Sequence, residues 1–145
     1  MREYIYKALA LDEALKPTSQ VVYGLIFNAT VPNPQDRTPT YKTHVTAIDA
    51  WNGTEGMWGR WYIQAETICE YTGLNDHANN YIFEWDVLEI KDLITNAAER
   101  HVVIFHNGCY CAGNGVPLEK YIYSCCDVRV LGNIKTREGD IGDQG

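Results

Sequence analysis

Apolar residues along this chain come in short runs flanked by Gly, Pro and Asn, and few of them recur at helical spacing. That pattern predicts strands rather than helices. Tyr4 to Ala8 reads as a first strand, and Leu9 to Lys16 either continues it or forms a helical turn ended by Pro17. Val21 to Asn28 is a near-continuous apolar run and reads as a second strand. Thr30 to Thr40 carries Pro32, Pro34 and Pro39 and reads as a loop. His44 to Ala50 alternates as a strand does, and Trp51 to Gly56 is a turn. Tyr62 to Tyr71 is expected to be extended, and Gly73 to Asn80 to be a polar loop. Tyr81 to Ile90 has the strongest strand pattern in the first two thirds. It would place Ile82, Glu84, Asp86, Leu88 and Ile90 on one face and Phe83, Trp85 and Val87 on the other. Asp92 resembles a helix N-cap, with about two helical turns over Leu93 to Arg100.

The clearest local signal lies between His101 and Ala112. Asn107-Gly108 suits a two-residue type I′ turn, whose central residues both need positive φ. Pairing about that turn sets His106 opposite Cys109, Phe105 opposite Tyr110 and Ile104 opposite Cys111. Tyr121 to Leu131 reads as one or two further strands, and the Gly- and Asp-rich end from Thr136 is expected to fray.

Composition narrows the class. At 145 residues the chain is one compact domain or two small modules. Ten Tyr and four Trp reinforce the mainly β reading, with minor α. No apolar run approaches the roughly 20 residues of a membrane helix, and the charged N-terminal stretch does not read as a secretion signal. A formal net charge of −7 argues against a nucleic-acid binder, whose footprint is a basic patch. Five cysteines, an odd number without a secretion signal, read as reduced thiols in a cytoplasm.

From Glu66 to Leu88 the chain runs E-T-I-C-E-Y-T-G-L-N-D-H-A-N-N-Y-I-F-E-W-D-V-L. This stretch resembles the YopX family of phage and prophage proteins, whose pattern is close to T-x-x-x-Y-T-G-L-x-D-x-x-G-x-x-I-Y-E-G-D-I-V. Thr67, Tyr71, Thr72, Gly73, Leu74, Asp76, Ile82, Glu84 and Asp86 coincide without a gap. Two glycines of the pattern are replaced, by Asn79 and Trp85. Val130-Leu131-Gly132-Asn133-Ile134 is similar to a closing V-I-G-N-I segment, and Met1-Arg2-Glu3 and Val22-Tyr23-Gly24 to the opening strands. Residues 29–60 show no resemblance. The resemblance implies an N-terminal β-rich region over 1–65. On it would pack an SH3-like barrel over 66–136, followed by a flexible tail over 137–145. It implies no reaction and no cofactor.

Three groups of residues carry candidate chemistry. In the matched motif, Gly73 lets the chain leave its strand and Asp76 ties down backbone amides of the following loop. Glu84 and Asp86 read either as an acid–base pair or, more simply, as a solvated strand end. His106, Cys109, Cys111 and Cys125 are weak candidates for a zinc site, against a reading as ordinary strand cysteines. Trp51, Trp58, Trp61 and Tyr62 form either a partner-binding surface or core. No phosphate loop, dinucleotide fingerprint, nucleophile elbow or zinc-protease helix occurs. The expected function is therefore non-enzymatic, through a protein partner or self-association. The alternatives are a nucleic-acid-binding barrel and an acidic inhibitor carrying Glu84, Asp86, Glu89 and Asp92 on one surface.

Overall fold

A computed structural model of the chain describes residues 5–31, 43–52 and 57–139, with side chains over 5–26 and 61–139. Among the described residues the chain is mainly β with one five-residue helix. It divides into a compact unit over Tyr4–Ile68 and a second that begins at Cys69.

In the first unit, strand β1 (Tyr6–Leu11) turns into the long strand β2 (Pro17–Val31). Asp12 makes that turn, because its Oδ1 accepts hydrogen bonds from the N–H groups of Ala14 and Lys16, each at 2.9 Å. Leu9 to Lys16 is thus strand followed by turn, and the helical alternative fails: Leu9 and Leu11 lie in the ladder with β2. The first half of β2 pairs with β1 and its second half with β3 (Thr43–Asn52). Strand β4 (Met57–Ile63) pairs along β3, and its last residue, Ile63, returns to Ala10 of β1. The strands therefore curl into a half-barrel. Ala8, Ala10, Val22 and Ile63 fill its inside, with Trp61 and Ile26 packed against them. Beyond Ile63 the extended run expected from Tyr62 to Tyr71 is broken. Ala65–Thr67 form a 3₁₀ turn, and the Thr67 hydroxyl accepts the Leu9 N–H at 2.8 Å.

The second unit holds strands β5 (Cys69–Asn75), β6 (Tyr81–Phe83), β7 (Asp86–Asp92), β8 (Ala98–Val102), β9 (Ile104–His106) and β10 (Cys109–Cys111). Helix α1 (Leu118–Ile122), β11 (Cys126–Asn133) and β12 (Glu138–Gly139) follow. Antiparallel pairing gives a four-stranded sheet in the order β12-β11-β7-β8, with β5–β6 and β9–β10 as two further hairpins. Ile82, Leu88, Ile90, Val103, Ala112, Leu118 and Val128 are buried together. The closed SH3-like barrel is not shown by these pairings.

Several local expectations change. The Tyr81–Ile90 strand is two strands broken at Glu84-Trp85. Trp85 has a φ of 71°, which no continuous strand tolerates. Asp92 does receive the Ile94 and Thr95 N–H groups as a cap would. The chain nevertheless closes a turn rather than a helix: Asn96 adopts a φ of 64°, and Ala98 pairs back onto Lys91. Tyr121 to Leu131 contains the end of α1 before β11 begins. Of the end expected to fray from Thr136, Thr136 is buried and Glu138 pairs with Asn133, while residues 140–145 lie outside the described residues. The Asn107-Gly108 hairpin has the expected register at all three pairs, with φ values of 51° and 83° at its two central residues.

Candidate functional site

The matched motif builds two knots of hydrogen bonds. Gly73, at a φ of 85°, lies inside β5 where the register with β6 shifts. The chain then turns at Asp76, which is buried. Its Oδ1 accepts the N–H groups of Ala78 and Asn80 at 2.9 and 2.8 Å. Its Oδ2 accepts the Val130 N–H from β11 at 2.9 Å and the Asn80 side-chain amide at 3.3 Å. Thr72 closes the hairpin from within, its hydroxyl donating to the Ile82 carbonyl at 2.8 Å. Tyr71 donates to Asn75 and stacks on Tyr81, and Leu74 packs against the core.

The second knot joins Asp86 to Asn133. Asp86 is fully buried. Its Oδ2 accepts the Phe83 N–H at 2.7 Å, which closes the Glu84-Trp85 turn, and its Oδ1 accepts the Asn133 amide at 2.8 Å. Asn133 Oδ1 in turn accepts the N–H groups of Lys135 and Thr136, both at 2.9 Å. The preceding Gly132 pairs with Gly139 and Val87. Asp86 is thus a structural tie. Glu84 sits in the turn itself, where burial, then the Glu70 carboxylate, holds its carboxyl above the ordinary value, with Lys135 pulling the other way. An acidic surface built on Glu84, Asp86, Glu89 and Asp92 fails at Asp86, which is inside.

His77 was not legible as a structural residue. Its Nδ1 accepts the Val128 N–H at 2.8 Å, which assigns the proton to Nε2, 3.1 Å from the Ile122 carbonyl. One ring thereby fastens α1 to β11.

The cysteines separate. Cys109 and Cys111 are neighbours on one face of β10, with sulfurs 3.5 Å apart, and both thiols reach the His106 carbonyl. Cys125 is exposed and lies beside the β7–β8 turn, where its carbonyl accepts the Leu93 N–H. Among the described residues no three His, Cys, Asp or Glu side chains gather as a metal site would require. Of the aromatic group, Trp51 and Trp58 are paired in the backbone register of β3 and β4, but their side chains lie outside the described residues. Trp61 and Tyr62 are half-buried, and Trp61 packs on the first unit's core.

A groove of about 240 Å³ opens beside the β9–β10 hairpin, lined by Thr72, Leu74, Phe105, Tyr110, Pro117 and Glu119, with Gly108 and Cys109 at the turn. Phe105 is 56 % exposed and meets Tyr110 edge to face at 5.1 Å. The Tyr110 hydroxyl donates to Glu70 at 2.7 Å, so a second carboxylate stands behind the aromatic wall. The hairpin register already placed Phe105 opposite Tyr110. Its union with Leu74 and Glu119 depends on the tertiary fold.

A mainly β chain whose motif residues tie turns to a sheet defines a class by structure rather than by chemistry. The family model of the YopX protein matches residues 30–136, about three quarters of the chain, and the protein belongs to the YopX family. That span takes in nearly all of residues 29–60, where no resemblance was seen, and it begins after the opening strands that had seemed similar. No curated protein and no solved structure matches the chain.

Proposed function

We propose that this chain is a non-enzymatic protein-binding module that uses the groove beside the β9–β10 hairpin. The observation that carries the reading is Phe105. A large aromatic ring more than half exposed, braced by Tyr110 over an apolar groove, is the arrangement from which interface hot spots are built. Leu74 and Pro117 offer an apolar floor, and Glu119, with Glu70 behind Tyr110, sets a negative field at its edge. The fitting partner presents an apolar side chain next to a basic one, and the net charge of −7 favours the same sign of partner. In fold terms, strands β6, β7 and β11 and helix α1 surround one apolar core, which supports the SH3-like barrel implied by the family.

Affinity capture from a bacterial lysate with three baits tests this: the wild-type chain, Phe105→Asp and Tyr123→Asp. Tyr123 is also exposed, at 79 %, but lines no part of the groove. The expected result is a partner held by wild type and Tyr123→Asp and lost with Phe105→Asp, at unchanged urea midpoints. Equal retention by all three baits overturns the assignment.

A further inference from the structure

We infer that Cys109 and Cys111 form a redox dithiol that small-molecule disulfides oxidise to an internal bond, with Cys109 attacking and Cys111 resolving. Two thiol sulfurs stand 3.5 Å apart on adjacent same-face positions of β10. They need only close to the roughly 2.05 Å of a disulfide. Access differs sharply between them. Cys109 is partly exposed and lines the groove, whereas Cys111 is 2 % exposed. A small disulfide entering the groove therefore meets Cys109 first. Burial, then the hydrogen bond that the Cys111 thiol donates to Cys109, raises Cys111 above its ordinary value, so it stays protonated and does not lead.

The exchange balances in two steps. The Cys109 thiolate attacks one sulfur of an oxidised glutathione, forming a mixed disulfide and releasing one glutathione thiolate. Cys111 then loses its proton to solvent and attacks the Cys109 sulfur, forming the Cys109–Cys111 bond and releasing the second glutathione thiolate. The two cysteines together lose two electrons, and the small disulfide gains them.

The geometry also sets the character of the bond. Residues i and i+2 of a strand lie roughly 6.6 Å apart, near the upper limit of about 6.8 Å for bridged Cα atoms. Closure therefore shortens β10, and a strained disulfide is readily reduced. Tyr110 lies between the two cysteines and carries both the contact with Phe105 and the hydrogen bond to Glu70. Oxidation thus rotates one wall of the groove.

The test is peptide mapping of the full chain after equilibration in glutathione redox buffers, acid quench and alkylation with iodoacetamide. Trypsin cuts after Arg100 and Lys120, so Cys109 and Cys111 share one peptide and Cys125 and Cys126 fall in the next. The expected wild-type result is loss of two hydrogens from the 101–120 peptide, with no glutathione adduct, reversed by excess reduced glutathione. Cys111→Ser should instead accumulate glutathione on Cys109, and Cys109→Ser should leave Cys111 free of adduct in the folded chain. A wild-type 101–120 peptide that carries stable glutathione, or that remains fully alkylated while the Cys125-Cys126 peptide oxidises, overturns the assignment. The wild-type measurement decides this even where a variant fails to fold.

Discussion

Replacing Asp76 with Ala should unfold the second unit far more readily than an ordinary loop substitution would. Four hydrogen bonds end on this one carboxylate, from the Ala78, Asn80 and Val130 N–H groups and the Asn80 amide. The two turn N–H groups can find water after truncation, so their loss is partly compensated. The Val130 N–H lies in β11 and is left without its acceptor. A hydrogen bond to a charged group contributes about 1.5–3 kcal/mol, and an orphaned buried donor costs a similar amount. Weighting the three backbone bonds accordingly gives a loss of about 3–5 kcal/mol. That is a large share of the roughly 5–15 kcal/mol that holds a domain folded. Asp76→Asn keeps an oxygen for the turn but can present an amide donor to the Val130 N–H, and should cost about 2 kcal/mol. Urea unfolding followed by tryptophan fluorescence reads both values, because Trp85 reports on the same unit. A loss below about 1 kcal/mol for the Ala variant would show that the carboxylate does not hold β11 to the loop.

Trp85→Gly should be more stable than Trp85→Ala by about 1 kcal/mol, because only glycine occupies a φ of 71° without strain; paired urea titrations measure the difference. His77→Ala removes the bridge between Ile122 and Val128 and should cost about 2–3 kcal/mol in the same assay. The Glu84 carboxyl has a raised value in the folded chain, so the folded state binds its proton more tightly than the unfolded state does. Its contribution is then most favourable below about 4.5, the ordinary value, and is lost as pH rises through the raised one. Glu84→Gln should accordingly flatten that part of the stability profile, and an unchanged slope in unfolding titrations across acid pH would count against the stated cause.

What could be read from the sequence depended on how local each cause was. Asn107-Gly108 fixes its hairpin through two adjacent backbone conformations, so the pairing of His106 with Cys109 was legible. The Asp76 turn was legible for the same reason, since Ala78 and Asn80 lie within four residues of it. The Glu84-Trp85 turn was hidden, because Trp85 stands where a glycine would have announced a positive φ. Asp92 misled in the opposite way, as a capping carboxylate serves a tight turn as well as a helix start. Helix α1 is only five residues long, and its Tyr121-Ile122-Tyr123 run has the composition of a strand. The groove was out of reach, because Leu74, Phe105 and Glu119 meet only after the second unit has folded. His77 likewise finds Ile122 and Val128 45 and 51 residues away.

The most direct test of the groove as a partner site is site-specific photocrosslinking in bacterial cells. A photoreactive phenylalanine analogue replaces Phe105 in one chain and Tyr123 in another. The account predicts a discrete crosslinked product from position 105 and none from position 123, with the product's mass identifying a separate protein or a second copy of this chain. Crosslinking from position 123 alone, or equally from both positions, would contradict it.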